Sequence, residues 1–91
     1  MNKKYDLKDL MKVLVGNNSK QFDDFMESYG INCIEKKDGR NLLMYCILQK
    51  KNEYATKLIN FGIDLNYQDK TGFSSLHFAV QENNRKRRYV A

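Results

Sequence analysis

The residues best suited to chemistry stand close together near the end of the chain, at Ser74, Ser75 and His77. A serine hydroxyl becomes a nucleophile when a nearby histidine accepts its proton and a third group orients the imidazole ring. A histidine two or three residues after the serines could come within reach of either hydroxyl. The segment is therefore either one half of a catalytic site or a structural turn.

Cys33 and Cys46 are the other side chains with reactive or metal-binding chemistry. Structural zinc sites collect Cys and His ligands at short spacings, whereas this chain has two separated cysteines and a single histidine. Small secreted domains carry more cysteines, in disulfide-forming sets. No Gly-rich phosphate loop precedes a Lys-Ser or Lys-Thr pair. We therefore expect two reduced thiols in a cytoplasmic protein, no bound metal and no cofactor.

The basic residues are concentrated in one run, Arg85, Lys86, Arg87 and Arg88. The formal net charge is +5, so this run supplies most of it and the rest of the chain is nearly neutral. A nucleic-acid-binding face normally spreads Lys and Arg over the fold. The run could bind nucleic acid, an acidic protein or an anionic membrane, act as a localisation signal, or be a solvated segment.

Composition indicates one small folded domain, since the chain has 91 residues, of which 42% are hydrophobic and 30% are charged. Charged residues interrupt every apolar segment, and none approaches the roughly 20 apolar residues that span a bilayer. The first residues have no apolar core of the kind found in signal peptides. We therefore expect no membrane span.

Apolar positions recur with a period of 33 residues, which places Leu10, Leu43 and Leu76 in register. The residues after each leucine keep a similar apolar pattern. A second helical pattern follows each of the first two copies, and Gly62 can adopt the left-handed conformation that ends a helix. A period of this length is typical of solenoids, in which each unit buries its apolar face against its neighbours.

Two segments carry a family resemblance. Residues 71–79, TGFSSLHFA, resemble the turn and first helix of the ankyrin repeat, usually written with Thr-Pro-Leu-His-x-Ala, and residues 58–66, LINFGIDLN, resemble the end of its second helix. Ser75 and Leu42 stand where the family usually has proline. The resemblance implies an all-α ankyrin-repeat solenoid of stacked helix-turn-helix units, linked by short β-turn or hairpin loops.

The repeat register divides the chain into one domain, residues 1–84, and a basic tail. Within the domain we expect repeats at about 5–37 and 38–70 and a partial repeat at 71–84, followed by the tail at 85–91. Basic residues stand where the second helix of the third repeat would begin.

The last helix is consequently expected to lack its usual cover. Its exposed residues would be Leu76, Phe78 and Val80. Such a surface could mediate homodimerisation or be completed by a partner.

The same resemblance implies structural roles for the Ser-His segment. Ser74 corresponds to the Thr or Ser that caps the first helix, and His77 to a histidine that hydrogen-bonds in the turn region between neighbouring repeats. The preceding repeat has Asn41 and Met44 at these two positions, so the pair is not repeated. We therefore expect no catalytic residues and no enzyme activity.

Ankyrin repeats bind proteins through the tips of their turns and the concave face of their first helices. Carried onto this sequence, the candidate partner-binding residues are Glu35, Lys37, Asp38, Arg40, Leu48, Gln49, Gln68, Lys70, Thr71, Phe73, Gln81 and Glu82. Phe73 is the most distinctive, because exposed aromatic residues are favoured anchors, although it could instead pack along its own hairpin.

The expected function is therefore a non-catalytic protein–protein interaction module, an inhibitor or adaptor that inhibits, sequesters or scaffolds one protein partner. The alternative is binding of a polyanion, either nucleic acid or an anionic surface, through the basic residues 85–88.

Overall fold

The computed structural model describes the backbone of residues 3–90 and the side chains of residues 3–83. Pairs of helices joined by tight turns follow one another along the chain, as the all-α solenoid prediction required. The elements are β1 (Lys4–Tyr5), α1 (Leu7–Gly16), α2 (Ser19–Tyr29), β2 (Ile34–Glu35), α3 (Leu42–Leu48), α4 (Asn52–Asn60) and α5 (Ser75–Val90).

The short strands β1 and β2 pair in parallel and hold the start of the chain against the first long loop. The Ile34 N–H donates to the Lys3 carbonyl at 2.9 Å, and the Lys36 N–H donates to the Tyr5 carbonyl at 3.0 Å. The Tyr5 side chain is fully buried, and its hydroxyl donates to the carbonyl of Arg40 at 3.0 Å. The N-terminal strand is thus tied to the turn that precedes α3.

Asparagine side chains begin two of the helices. The Asn18 Oδ1 accepts hydrogen bonds from the N–H groups of Lys20 and Gln21, at 3.0 and 3.3 Å. The Asn41 Oδ1 accepts from the Met44 N–H at 3.0 Å. The first N–H groups of a helix lack partners within the helix, so these caps favour the observed starting points of α2 and α3.

A hydrophobic core runs along the helix pairs and includes Leu10 and Leu43, which are equivalent in the 33-residue register. Its buried members are Tyr5, Leu10, Leu14, Phe22, Phe25, Cys33, Leu42, Leu43, Tyr45, Cys46, Tyr54, Leu58 and Ile63. Phe22 stacks on Tyr54 with ring centroids 4.4 Å apart, which joins α2 to α4. An ion pair between Asp23 and Lys57 links the same two helices. Successive repeats are therefore joined by both apolar and polar contacts.

The last helix, α5, is 16 residues long, whereas its counterpart α3 has seven. The backbone of the basic run therefore lies on α5, while the side chains of Arg85, Lys86, Arg87 and Arg88 are outside the described residues. The repeat boundaries and the start of the tail at residue 85 stay predictions.

The predicted exposure of α5 is correct at Leu76 and Val80 and wrong at Phe78, which is buried. The Phe78 ring lies 5.0 Å from the Arg40 guanidinium carbon and contacts the Phe73 ring edge to face. This position is covered by the preceding repeat, since α5 packs against α3, and it does not depend on a second helix.

The loop before α5 is organised by the carboxylate of Asp69. Its Oδ1 accepts hydrogen bonds from the Thr71 N–H at 2.9 Å, the Thr71 hydroxyl at 2.6 Å and the Phe73 N–H at 3.0 Å. The Asp69 N–H donates to the Phe73 carbonyl at 2.9 Å. Gly72, at φ +85°, supplies the left-handed residue that this turn requires. These bonds hold residues 69–73 in one conformation.

The protonation of Asp69 is coupled to this geometry. Burial alone would raise the pKa of Asp69, but hydrogen bonds from Thr71, Phe73 and Arg40 outweigh it, so the pKa lies below its ordinary value. A carboxylate whose pKa is lower in the folded state stabilises the fold above its unfolded pKa of about 4. That stabilisation is lost as the pH falls further, through the folded pKa.

Neighbouring residues on α1 test the repeat register. Leu14 is buried and Val15 is exposed. We expect Leu14→Ala to lower the free energy of unfolding by about 2–5 kcal/mol, because it leaves a cavity in the core. We expect Val15→Ala to change it by less than about 0.5 kcal/mol. Urea unfolding followed by circular dichroism measures both, and equal effects would contradict the register.

A second prediction concerns the Asp69 turn. We expect Asp69→Asn to lower the free energy of unfolding by about 1–3 kcal/mol at pH 7, because hydrogen bonds to a buried carboxylate are weakened. The difference from the unaltered chain should shrink as the pH falls below about 4, where the carboxylate becomes protonated first in the unfolded chain and, at lower pH, in the folded chain.

The matched control for this prediction is Asp24→Asn, which alters an exposed aspartate on α2. Urea unfolding at pH 7 and at pH 3 distinguishes the two variants. A deficit in Asp69→Asn that did not depend on pH would contradict the role given to the carboxylate.

Candidate functional site

The turn at residues 35–40 and the turn at residues 69–73 lie side by side. The Lys70 N–H donates to the Asp38 carbonyl at 3.2 Å, and the Tyr67 hydroxyl donates to the carbonyl of Gly39. The tips of two successive repeats therefore form one continuous surface. We name it the turn-tip surface and define it by its exposed members, Lys37, Asp38, Gln68, Lys70, Thr71 and Phe73.

Most of the candidate partner-binding residues are exposed, as expected. The exposed residues are Lys37, Asp38, Gln49, Gln68, Lys70, Thr71, Phe73 and Gln81. Arg40, Leu48 and Glu82 are half-buried, and Leu48 packs against the core. Whether any of them contacts a partner stays a prediction.

The prediction for Glu35 is wrong, because this residue was expected to be exposed and is buried. Its carboxylate accepts hydrogen bonds from the N–H groups of Lys37, at 2.9 Å, and Asp38, at 2.5 Å. The carboxylate thereby closes the turn at residues 35–40, as that of Asp69 closes the next. Burial, followed by the nearby Glu35 carboxylate, raises the pKa of Tyr45 to about 12. Glu35 therefore lies below the turn-tip surface and fixes the backbone of the turn that carries Lys37 and Asp38.

Arg40 is held by the fold as well. Its Nε lies 3.4 Å from Asp69 Oδ2, and its guanidinium carbon lies 5.6 Å from the Tyr45 ring centroid and 5.0 Å from that of Phe78. One side chain thus joins the turn of the second repeat to the turn and first helix of the third. A substitution at Arg40 would loosen the turn-tip surface in addition to removing a charge.

Phe73 packs against the first turn of α5. Its ring stacks on His77, with centroids 5.3 Å apart and an interplanar angle of 15°, and meets Phe78 edge to face at 5.9 Å. The side chain is still 37% exposed. Phe73 therefore packs against α5 and stays partly accessible to solvent.

Ser74 and His77 are in contact, with Ser74 Oγ 2.9 Å from His77 Nδ1. The Ser74 N–H also donates to Nδ1, at 3.0 Å, in the manner of the acidic residue of a capping box. The described contacts of the His77 ring are with Ser74 and Phe73, neither of which is a carboxylate that could orient it for proton transfer. The pair therefore forms part of a turn.

The role expected for the Ser74 hydroxyl differs in one respect. It was expected to accept a backbone N–H, as the Asn41 side chain does one repeat earlier. In the structure the hydroxyl contacts His77 Nδ1 at 2.9 Å. The preceding repeat has Met44 at the position of His77, so its side chain offers no such partner. The imidazole Nδ1 also accepts the N–H of Ser74 itself, at 3.0 Å.

The cysteines are free and buried. Burial raises the pKa of Cys33 and of Cys46 to about 12, so both thiols stay protonated at neutral pH. Among the residues that the structure describes, no three His, Cys, Asp or Glu side chains are grouped so as to hold a metal ion. Within the same residues, no helix is long and apolar enough to cross a membrane.

Two residues that support the site, Tyr67 and Asp69, were missed by sequence reasoning. The signal for Asp69 was available, since an aspartate three residues before a glycine is typical of a side chain that bonds to its own turn. Tyr67 had no such signal, because its hydroxyl bonds to the carbonyl of Gly39, 28 residues earlier in the chain.

Comparison with known proteins agrees with this architecture. The family model described as ankyrin repeats in three copies matches residues 2–87. The chain is 31% identical to inversin of Gallus gallus over 79 residues, which are 87% of this chain and 6% of that protein. It is 38% identical to inversin of Mus musculus and of Homo sapiens over 50 residues, 55% of this chain and 5% of each relative.

This chain therefore spans only a small part of the length of the curated relatives it matches. No solved structure matches it. Ankyrin repeats are generally protein–protein interaction modules and are generally non-catalytic. The 33-residue register, the helix pairs closed by tight turns and the match over nearly the whole chain show that this chain belongs to the ankyrin-repeat family.

Proposed function

We propose that the turn-tip surface binds one protein partner, and that the chain inhibits, sequesters or scaffolds that partner. The observation that carries this proposal is the exposed ring of Phe73, 37% accessible on a turn held by the Asp69 carboxylate. Aromatic side chains at the centre of an interface contribute much of the binding energy. A side chain already held in one orientation loses less entropy when it docks.

The surroundings of Phe73 suit a protein interface. Lys37, Asp38 and Lys70 belong to the same turn-tip surface, provide charges of both signs, and are all exposed. An apolar anchor within a polar rim is the usual arrangement in protein–protein interfaces. The concave-face candidates Gln49 and Gln81 would extend the contact. The cytoplasmic location and the adaptor or inhibitor role stay predictions.

The decisive residue is Phe73. We expect Phe73→Ala to weaken binding of the partner at least about tenfold, because truncation of an aromatic anchor costs about 2 kcal/mol or more. Affinity capture with the unaltered chain supplies candidate partners, and calorimetry with the purified partner measures the change.

The matched control is Phe61→Ala, which removes an exposed phenylalanine outside the turn-tip surface. The partner should bind Phe61→Ala as tightly as the unaltered chain. A genuine partner that bound Phe73→Ala and Phe61→Ala equally well would exclude the turn-tip surface as its site.

The alternative function is polyanion binding through Arg85, Lys86, Arg87 and Arg88. The observation that favours it is the concentration of positive charge in one run. Contacts to phosphates release counterions, so we expect binding of a duplex DNA of about 20 base pairs to weaken steeply as salt rises. Fluorescence anisotropy of labelled DNA measures this, and replacement of the four residues by alanine should abolish binding. Unchanged binding by that variant would exclude the alternative.

A further inference from the structure

A lysine recurs at one position of the repeat register, because Lys4, Lys37 and Lys70 follow one another at the 33-residue period. All three side chains are exposed. Lys4 belongs to β1, Lys37 to the turn at residues 35–40 and Lys70 to the turn at residues 69–73. We name these three residues the lysine row. Lys37 and Lys70 already belong to the turn-tip surface, and Lys4 extends that surface toward the start of the chain.

Main-chain hydrogen bonds bring the three segments of the lysine row side by side. Strand β1 pairs in parallel with β2, which runs into the turn at residues 35–40. The Lys70 N–H donates to the Asp38 carbonyl at 3.2 Å, and the Lys70 Nζ donates to the Lys36 carbonyl at 3.4 Å. The lysine row therefore crosses neighbouring segments on the turn side of the molecule.

The carboxylates of the same segments leave these lysines without a counter-charge. Glu35 and Asp69 are buried and accept N–H groups of their own turns. Asp6 lies 3.9 Å from the Lys36 Nζ, and Asp69 lies 3.4 Å from the Arg40 Nε. Within the described part of the chain, no carboxylate forms an ion pair with a lysine of the row. Folding thus buries or pairs most of the negative charge, although the sequence of these segments mixes both signs.

The exposed carboxylate of Asp38 narrows the choice of ligand. It follows Lys37 in sequence, and its main-chain carbonyl is bonded to Lys70. A nucleic acid carries a phosphate at every nucleotide and would bring negative charge close to Asp38. An acidic peptide can instead place a neutral residue opposite Asp38 and carboxylates opposite the lysines. A second copy of this chain that met the first through the same row would be repelled by it.

We propose that the lysine row binds an acidic segment of the protein partner, which crosses the turns of successive repeats and reaches the Phe73 ring. This inference rests on the proposed function, because it assigns a charge to the partner of the turn-tip surface. Exposed ammonium groups attract an oppositely charged segment and raise its rate of association. Phe73 supplies the apolar contact that the lysines lack. The partner segment therefore combines acidic residues with an apolar residue near one end.

The test uses the whole chain with its basic run, residues 85–88, replaced by alanine, so that this run cannot bind the probe. The probe is a synthetic peptide of about ten glutamates followed by one leucine, and the control peptide has glutamine in place of glutamate. Amide chemical shifts of the isotope-labelled chain are followed by NMR as each peptide is added. We expect saturable shifts at Lys37, Lys70 and Phe73 with the acidic peptide and none with the control peptide.

A first variant of this chain removes the charge of the lysine row, by Lys4→Gln, Lys37→Gln and Lys70→Gln together. We expect it to weaken binding of the acidic peptide about tenfold, because each of three exposed ion pairs contributes a small part of the affinity. The remaining affinity should fall less steeply with rising salt, because fewer charges take part in the contact.

The matched control removes the same charge from exposed lysines of α1 and α2, by Lys8→Gln, Lys12→Gln and Lys20→Gln together. It should weaken binding of the acidic peptide by less than about twofold, because these lysines lie outside the turns. An equal loss in the two triple variants would show that only net charge matters, and would overturn the proposal.

The purified partner separates this inference from the proposed function. A partner that loses affinity for both Phe73→Ala and the row variant supports the two together. A partner that is weakened by Phe73→Ala and binds the row variant normally would leave the proposed function standing and overturn this inference. A partner that is indifferent to both would exclude the turn-tip surface as well.

Three further results would overturn the proposal. The first is an absence of shifts with the acidic peptide. The second is tighter binding of a single-stranded DNA of matched charge, which would identify a nucleic acid as the ligand. The third is a set of shifts at the lysine row that grows with chain concentration without peptide, which would identify a second copy as the ligand.

Discussion

Each repeat of this chain is a pair of short helices with more apolar side chain than the pair can cover by itself. The stack of Phe22 on Tyr54 and the packing of α3 on α5 are the contacts by which one repeat covers the next. Stability in such an architecture is shared between neighbours, so no repeat is stable in isolation. The same dependence explains why Leu76 is exposed, since the pair to which it belongs is incomplete within the described residues.

The second organising feature is the use of buried carboxylates in the turns. Glu35 closes residues 35–40 and Asp69 closes residues 69–73, each by accepting N–H groups of its own turn. Arg40 then joins the two turns through Asp69. The carboxylates of Glu35 and Asp69, together with Arg40, thus hold the turns that carry the exposed residues of the turn-tip surface.

Much of the fold could be predicted from sequence, because the signals are local or periodic. The 33-residue recurrence of Leu10, Leu43 and Leu76 indicated the repeats, and Gly62 and Gly72 lie at positive φ where a helix or a turn requires it. The candidate site was only partly predictable. Glu35 and Arg40 are charged residue types that sequence reasoning places at the surface. Glu35 is buried and hydrogen-bonded to its own turn, whereas Arg40 is held by Asp69, which is distant in sequence. The burial of Phe78 by Arg40 and Phe73 could not be predicted from periodicity, because it depends on contacts made outside its own helix.

The sequence by itself determined the period, the helix pairs, the family and the concentration of basic charge, since each of these is written in residue type and spacing. Only the tertiary structure decided which polar residues of the turns are displayed and which are buried. It also decided that the Ser74 hydroxyl contacts His77 Nδ1 and that Phe73 stacks on the His77 ring. The physical reason is that the exposure and the hydrogen bonds of a side chain depend on neighbours that folding brings together. Sequence periodicity indicates only which side of a helix is apolar.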